Sequence, residues 1–373
     1  MGNQKEDMNA LLSYKFNGVE KSFLVEYCQL KYWERILDHI PPWVAPNAIT
    51  LIGFLAMAAQ TLFVFYLDPA LMGNVRWLPA LSAAVIWFYS TMDCIDGMQA
   101  RKTGAKSPLG QLFDHGVDSV VCTFIVYCLA SALGIKNKKT VLAMLVCSQT
   151  VFYWVTTKEY YTKLFYLGFI GPTECIAMVC ILLIVISAAG KDRVVYFNSW
   201  ATKNFDALVQ GVCVSAWVLA TAYYIWDIAY CEEFGMVYNS TKTAKAMQIV
   251  PHFLFVLTQV ISGLCIASAS QATVSQVFYP YIGLYTMCFS MFTTLTIKSH
   301  QLSTKIMIPN SLIALTIIAN LLLVFSAPKK THLSINIVFV LGLTIYTLMV
   351  KEIIEGYLKV LKIPFFFNNY KGK

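Results

Sequence analysis

The chain has 373 residues, 58% of them hydrophobic and only 13% charged, with a mean hydropathy of +0.61. That composition excludes a soluble domain of this length and describes a polytopic membrane protein. The net charge of +8 does not indicate a nucleic-acid partner, because the basic residues are scattered singly over many loops and form no patch interleaved with exposed aromatics.

The first 40 residues are polar or amphipathic and contain no signal peptide, so the first transmembrane helix is expected to direct insertion. Within them, Phe23, Tyr27, Leu30, Trp33, Leu37 and Ile40 recur every three or four residues, with Lys31, Glu34, Arg35 and Asp38 elsewhere on the wheel. This spacing predicts an amphipathic helix, capped by Ser22 and ended by Pro41-Pro42, lying along the cytosolic membrane surface. It reads either as an anchor or as a lid beside an active site.

Apolar runs of about 20 residues, enough to cross a bilayer, follow at 49–67, 75–92, 109–134, 140–157, 171–189, 207–229, 246–270, 277–297, 308–327 and 333–358. The expected fold is therefore all-α. About ten transmembrane helices form one catalytic domain over 49–373, behind a cytosolic segment over 1–48. The basic residues favour the N-terminal side of the membrane by about two to one, which puts both termini in the cytosol. Asn239-Ser240-Thr241 matches the glycosylation pattern but falls in a loop this topology leaves cytosolic, so Asn239 is expected to carry no glycan. The 11 cysteines lie mostly in apolar runs without a Cys-x-x-Cys pair and read as small buried hydrophobes.

Four carboxylates sit inside or beside the second and third runs: Asp93 and Asp96 just past the end of the second, Asp114 and Asp118 within the third. Acids are rare in membrane segments and usually functional. Asp93 and Asp96 share a helix face at i, i+3, and Asp114 and Asp118 share one at i, i+4, so two successive helices offer a pair each. Four such groups held close in low dielectric repel one another unless neutralised, and hard oxygen donors suit Mg²⁺ or Mn²⁺. A salt-bridge cluster with Arg101 and Lys102 is the plainer reading, but two cations do not balance four carboxylates.

The run Asp93-x2-Asp96-Gly97-x2-Ala100-Arg101-x8-Gly110-x3-Asp114-x3-Asp118 resembles the signature of the CDP-alcohol phosphotransferases, membrane enzymes of phospholipid synthesis. Ser107 to Asp118, Pro46-Asn47-x2-Thr50-x2-Gly53, Gly171-Pro172-Thr173-Glu174 and Tyr14-Lys15-Phe16 further resemble the eukaryotic choline and ethanolamine phosphotransferases. The resemblance implies two metal ions on the four aspartates and attack of diacylglycerol on a CDP-aminoalcohol, either CDP-choline or CDP-ethanolamine. It also implies a homodimer in the endoplasmic reticulum or Golgi membrane, while the bias of the basic residues puts Arg101 and the mouth of the site on the cytosolic side.

By the same resemblance Gly97, Ala100 and Gly110 belong to the nucleotide pocket, and Arg101 holds phosphate or the metal carboxylates. Asn47 either caps its helix or contacts the nucleotide. His115 and Glu174 correspond to a catalytic pair, and relatives lacking the histidine use the residue at Asp118 as base. Both His115 and Asp118 therefore stand as candidates. The chain departs from the eukaryotic pattern at Met98, where lysine is usual, and at Gln111, where glutamate is usual, and the joint loss of one positive and one negative group suggests a swapped ion pair. A quaternary ammonium favours an aromatic cage, and Trp87, Tyr89, Tyr153 and Trp154 are candidates in a chain rich enough in aromatics to offer them by chance. Rival readings are a relative using CDP-diacylglycerol or another alcohol, typically shorter, or a cation-coupled transporter, which would show broken helices repeated in two halves.

Overall fold

The computed structural model describes residues 3–169, 171–195, 199–230, 242–325 and 328–367. In chain order the elements are α1 (Asn3–Ser13), β1 (Gly18–Glu20), α2 (Leu30–Leu37), α3 (Pro46–Leu67), α4 (Leu78–Thr103), α5 (Pro108–Leu133), α6 (Lys138–Thr162), β2 (Phe165–Leu167), α7 (Pro172–Ala189), α8 (Lys191–Val194), α9 (Ser199–Tyr230), α10 (Lys242–Ser268), α11 (Gln271–Gln301), α12 (Asn310–Phe325) and α13 (Pro328–Leu361).

All ten apolar runs fall in helices, α3 to α7 and α9 to α13. Among the described residues, eight helices are long and apolar enough to cross a membrane. The other two of the expected ten differ for separate reasons. Helix α12 has 16 residues, or about 24 Å at the usual rise, short of the ~30 Å hydrocarbon core. Helix α11 is buried along most of its length and carries Thr286, Ser290, Thr293, Thr294, Thr296 and Ser299 among its buried residues, which lowers its hydropathy. Asn239 lies outside the described residues.

The chain forms two compact units, one of Tyr14–Lys136, Phe165–Leu208 and Leu361–Lys373, the other of Met1–Ser13, Asn137–Leu164 and Val209–Val360. In the first, α4 packs against α2, α3, α5 and α7. Gly53 permits a close approach of α3 to α4: a Cβ there would meet Met92 Cβ at 3.0 Å and the Tyr89 ring at 3.2 Å. Helix α4 ends at Gly104, in the left-handed region (φ 69°), and Ser107 starts α5 by accepting the Gly110 N–H at 3.0 Å, with Pro108 in the first turn. This short reversal sets α4 beside α5 and so brings the two aspartate pairs together. At the C-terminal end of α3, Asp68 accepts the N–H groups of Met72 (2.7 Å) and Gly73 (2.9 Å) and the Ser131 hydroxyl (2.6 Å).

The amphipathic segment is helical from Phe23 to Leu37, with a π-turn over Val25–Gln29. Ser22 caps it as expected, its Oγ accepting the Val25 N–H at 3.2 Å. Only part of the expected apolar stripe is buried. Trp33 and Leu37 join Ile49 and Ile95 in one cluster, while Phe23, Tyr27 and Leu30 are exposed. Two elements were not legible in the sequence: α1, which belongs to the other unit, and the ribbon β1–β2, whose parallel strands pair Gly18 with Phe165 and Glu20 with Leu167.

In the second unit, α6 packs on α11 and α10, and α12 on both of those. His252 is buried there, each ring nitrogen 2.8 Å from a tyrosine hydroxyl, Tyr153 on one side and Tyr161 on the other. Tyr153 stacks on Phe255 with ring centroids 3.7 Å apart. Tyr153 and Trp154 are therefore core residues of this unit.

Candidate active site

Asp93, Asp114 and Asp118 each present an oxygen, all within 4.8 Å of one another. Asp114 also lies within reach of Asp96, so the four aspartates of α4 and α5 meet as their spacing predicts. Buried oxygens Asp93 Oδ1 and Asp114 Oδ1 have no hydrogen-bond partner. Orphaned buried acceptors are costly, and a cluster of them among hard donors fits a cation.

Neighbouring helices orient the remaining carboxylates. Tyr89 on α4 donates its hydroxyl to Asp118, and Thr50 on α3 donates to buried Asp96. Lys102 turns away from the cluster, donating to the Leu37 carbonyl at 3.1 Å and lying 3.6 Å from Asp38. It ties the end of α2 to α4, which removes one of the two cations of the salt-bridge reading.

Above the cluster opens a cavity of about 750 Å³. Asp96, Asp114 and His115 line it together with Asn47, Gly97, Ala100, Arg101 and Gly110, the positions expected for substrate. The cap of α3 is Ala45, so Asn47 lies in the first turn with its side chain available to the cavity. A Cβ at Gly97 would stand 3.5 Å from the Arg101 guanidinium, and one at Gly110 would stand 3.7 Å from Asn47 Oδ1. These glycines keep the cavity wall low where Arg101 and Asn47 face it.

His115 packs its ring against Phe165, with centroids 5.0 Å apart, and edge-on to Phe16 at 6.5 Å. Its Nδ1 is buried without a hydrogen-bond partner. Glu174 stands elsewhere, outside the residues that line the cavity. Its carboxylate accepts the Ser22 hydroxyl, the Leu24 N–H (3.1 Å) and the Gly171 N–H (2.7 Å). Among the described residues no hydrogen bond joins it to His115. Glu20, at the end of β1, lies near Glu174 and Arg101; desolvation and the Glu174 charge raise its carboxyl above the ordinary glutamate range, and Arg101 opposes the shift.

A family model described as CDP-alcohol phosphatidyltransferase matches residues 43–232, which contain the whole aspartate cluster. The chain belongs to this family. Among its relatives in this CDP-alcohol phosphatidyltransferase family, the choline/ethanolaminephosphotransferase 1 of Saccharomyces cerevisiae is 33% identical over 63% of this chain and 58% of its own length. The choline/ethanolaminephosphotransferase 1 of Arabidopsis thaliana is 28% identical over 74% of this chain and 66% of its own. A CDP-diacylglycerol–serine O-phosphatidyltransferase of Encephalitozoon cuniculi is 30% identical over 67% and 60% respectively. The chain thus spans about half to two thirds of the length of the curated relatives it matches.

Against that family frame, several cavity residues escaped the sequence reading. The C-terminal segment Ile363-Pro364-Phe365 lines the cavity, held by an edge contact between Phe365 and Phe113 at 5.1 Å and a bridge from Val44 to Phe367. No local pattern announces such a return of the chain. Lys15 and Lys106 also line it. The two departures from the family pattern have separate surroundings. Met98 packs on the Trp33–Ile95 cluster, whereas Gln111 lines the cavity and accepts the Tyr14 hydroxyl at 2.8 Å. Trp87 and Tyr89 also part company, Trp87 packing on Tyr32 and Tyr89 serving Asp118.

Proposed function

We propose that this chain transfers phosphocholine or phosphoethanolamine from a CDP-aminoalcohol to diacylglycerol, releasing CMP and forming phosphatidylcholine or phosphatidylethanolamine. The observation that carries this reading is the cluster of Asp93, Asp114 and Asp118 from α4 and α5 beside a cavity lined by Asp96 and Asp114 together with Asn47, Arg101 and His115.

Asp93, Asp96, Asp114 and Asp118 would hold Mg²⁺ or Mn²⁺, two ions in the reading drawn from resemblance, and the orphaned oxygens of Asp93 and Asp114 support that fit. When bound, such ions neutralise the diphosphate charge. Arg101, at the end of α4, adds a permanent positive group beside the same phosphates. Asn47, Gly97, Ala100 and Gly110 form the low wall against which the cytidine lies. Tyr89 and Thr50 hold Asp118 and Asp96 in register.

His115 then accepts the proton of the diacylglycerol hydroxyl as its oxygen bonds to the β-phosphorus, and the bond from that phosphorus to the CMP oxygen breaks. CMP leaves with the electron pair. Asp118 is the other candidate base, but the Tyr89 hydroxyl already donates to it and it sits inside the aspartate cluster, which favours His115. Glu174, bound by Ser22, Leu24 and Gly171, contributes through the clasp it makes on those segments. The protein works in the endoplasmic reticulum or Golgi membrane as a homodimer, with both termini and the cavity mouth cytosolic. Residues 49–373 supply the catalytic domain, and the amphipathic helix before them lies at the membrane surface.

Similarity to a relative named for CDP-diacylglycerol and serine supports a second reading, in which the donor carries the diacylglycerol and a small alcohol attacks. Purified protein given CDP-choline or CDP-ethanolamine with diacylglycerol, and in parallel CDP-diacylglycerol with serine, separates the two. CMP release only in the first pair supports the main reading, and release only in the last overturns it.

A further inference from the structure

A parallel ribbon of two three-residue strands has little stability of its own, and parallel pairing across such a sequence distance is entropically unfavourable. Yet β1–β2 forms, and several contacts hold it. Phe165 N–H donates to the Asn17 carbonyl at 2.9 Å, and Lys21 N–H donates to the Leu167 carbonyl at 3.0 Å. Just beyond the strands, the Glu174 carboxylate closes the far end, gathering Ser22 and Leu24 after β1 and Gly171 after β2.

The ribbon delivers two rings to one place. Phe165 opens β2, Phe16 precedes β1, and their centroids stand 6.0 Å apart. Both contact the His115 imidazole, Phe165 at 5.0 Å and Phe16 edge-on at 6.5 Å with an interplanar angle of 86°. An imidazole used as a base is ordinarily aimed by a hydrogen bond on its second nitrogen. Here Nδ1 is buried and has none. Ring packing is what remains to fix the orientation of the side chain.

We propose that Phe165, with Phe16, is a positioning residue for His115, and that the β1–β2 ribbon with its Glu174 clasp exists to hold these rings against the imidazole. This rests on His115 serving as the base. Misplacing a reacting group by about 1 Å costs on the order of 10²-fold in rate, so loss of the ring need not disturb binding to be felt.

The test is single-turnover CMP release together with CDP-aminoalcohol affinity in Phe165→Ala, Phe165→Leu and Phe165→Tyr, each also combined with His115→Ala. Phe165→Ala should lose roughly 10- to 10²-fold in kcat with little change in affinity. Phe165→Tyr, which keeps the ring, should restore most of that loss, and Phe165→Leu, which keeps only the volume, should not. In the His115→Ala background none of the three should cost anything further. If Phe165→Ala does not fold, the Leu and Tyr variants decide, and equal turnover in both overturns the proposal. Losses that persist undiminished without His115 overturn it as well and leave the base assignment standing. Near-normal turnover in His115→Ala alone overturns the base assignment and this proposal together.

Discussion

Tyr89 donates its phenol hydroxyl to Asp118, joining α4 to α5 at the cluster of Asp93, Asp114 and Asp118. Thr50 makes the equivalent contact from α3 to Asp96. Residues of this kind orient metal-binding carboxylates, and their loss typically weakens metal affinity 10- to 100-fold. Tyr89→Phe and Thr50→Val should each raise the Mg²⁺ concentration for half-maximal turnover by about tenfold. An unchanged metal titration in both would show that these hydroxyls only fill space.

Replacing Asp96 or Asp114 by asparagine removes one charge from the cluster with little change of shape. Each variant should abolish turnover while keeping the thermal stability of the folded protein, and a chelator should silence the wild type reversibly. Full activity in either variant, or in excess chelator, contradicts the metal assignment.

Removing the imidazole with His115→Ala should lower kcat roughly 10²-fold or more, as loss of a general base does, and leave CDP-aminoalcohol affinity nearly constant. Glu174→Gln should give a similar or smaller loss, because it weakens the clasp on Ser22 and Leu24 without entering the cavity. Combined, the two should cost less than the product of the separate losses. Near-normal turnover in His115→Ala would move the proton to Asp118.

Far from the chemistry, Asp68 gathers Met72, Gly73 and Ser131 at the end of α3. Asp68→Ala leaves those donors unsatisfied and should cost on the order of 1–3 kcal/mol of stability, with Ser131→Ala near the lower end. Thermal unfolding in detergent reads this directly. A Tm unchanged in Asp68→Ala would mean that other acceptors replace the carboxylate.

How much of this was legible follows from the range of each interaction. Helices α3 to α7 and α9 to α13 were readable because apolar runs are local, and the aspartate pairs were readable because i, i+3 and i, i+4 spacing fixes a face. Ser22 as a cap was equally local, and the structure bears it out. What the sequence hid depends on distant pairing. Phe165 meets Phe16 and His115 only through a ribbon joining segments on either side of α3 to α6, and Phe365 reaches the cavity from the far end of the chain. Eight of the ten expected spans meet the length and apolarity needed to cross a membrane among the described residues, and the other two differ for local reasons. Hydrophobicity along α11 reflects burial against protein, and α12 is apolar but short.

The most direct measurement is the simultaneous yield of CMP and phospholipid from purified protein given radiolabelled CDP-choline or CDP-ethanolamine, diacylglycerol and Mg²⁺ or Mn²⁺, with Asp114→Asn as control. CMP and labelled phosphatidyl product are expected in equal amounts from at least one donor, and neither from Asp114→Asn. CMP release without lipid product, or equal yields from wild type and Asp114→Asn, would contradict it.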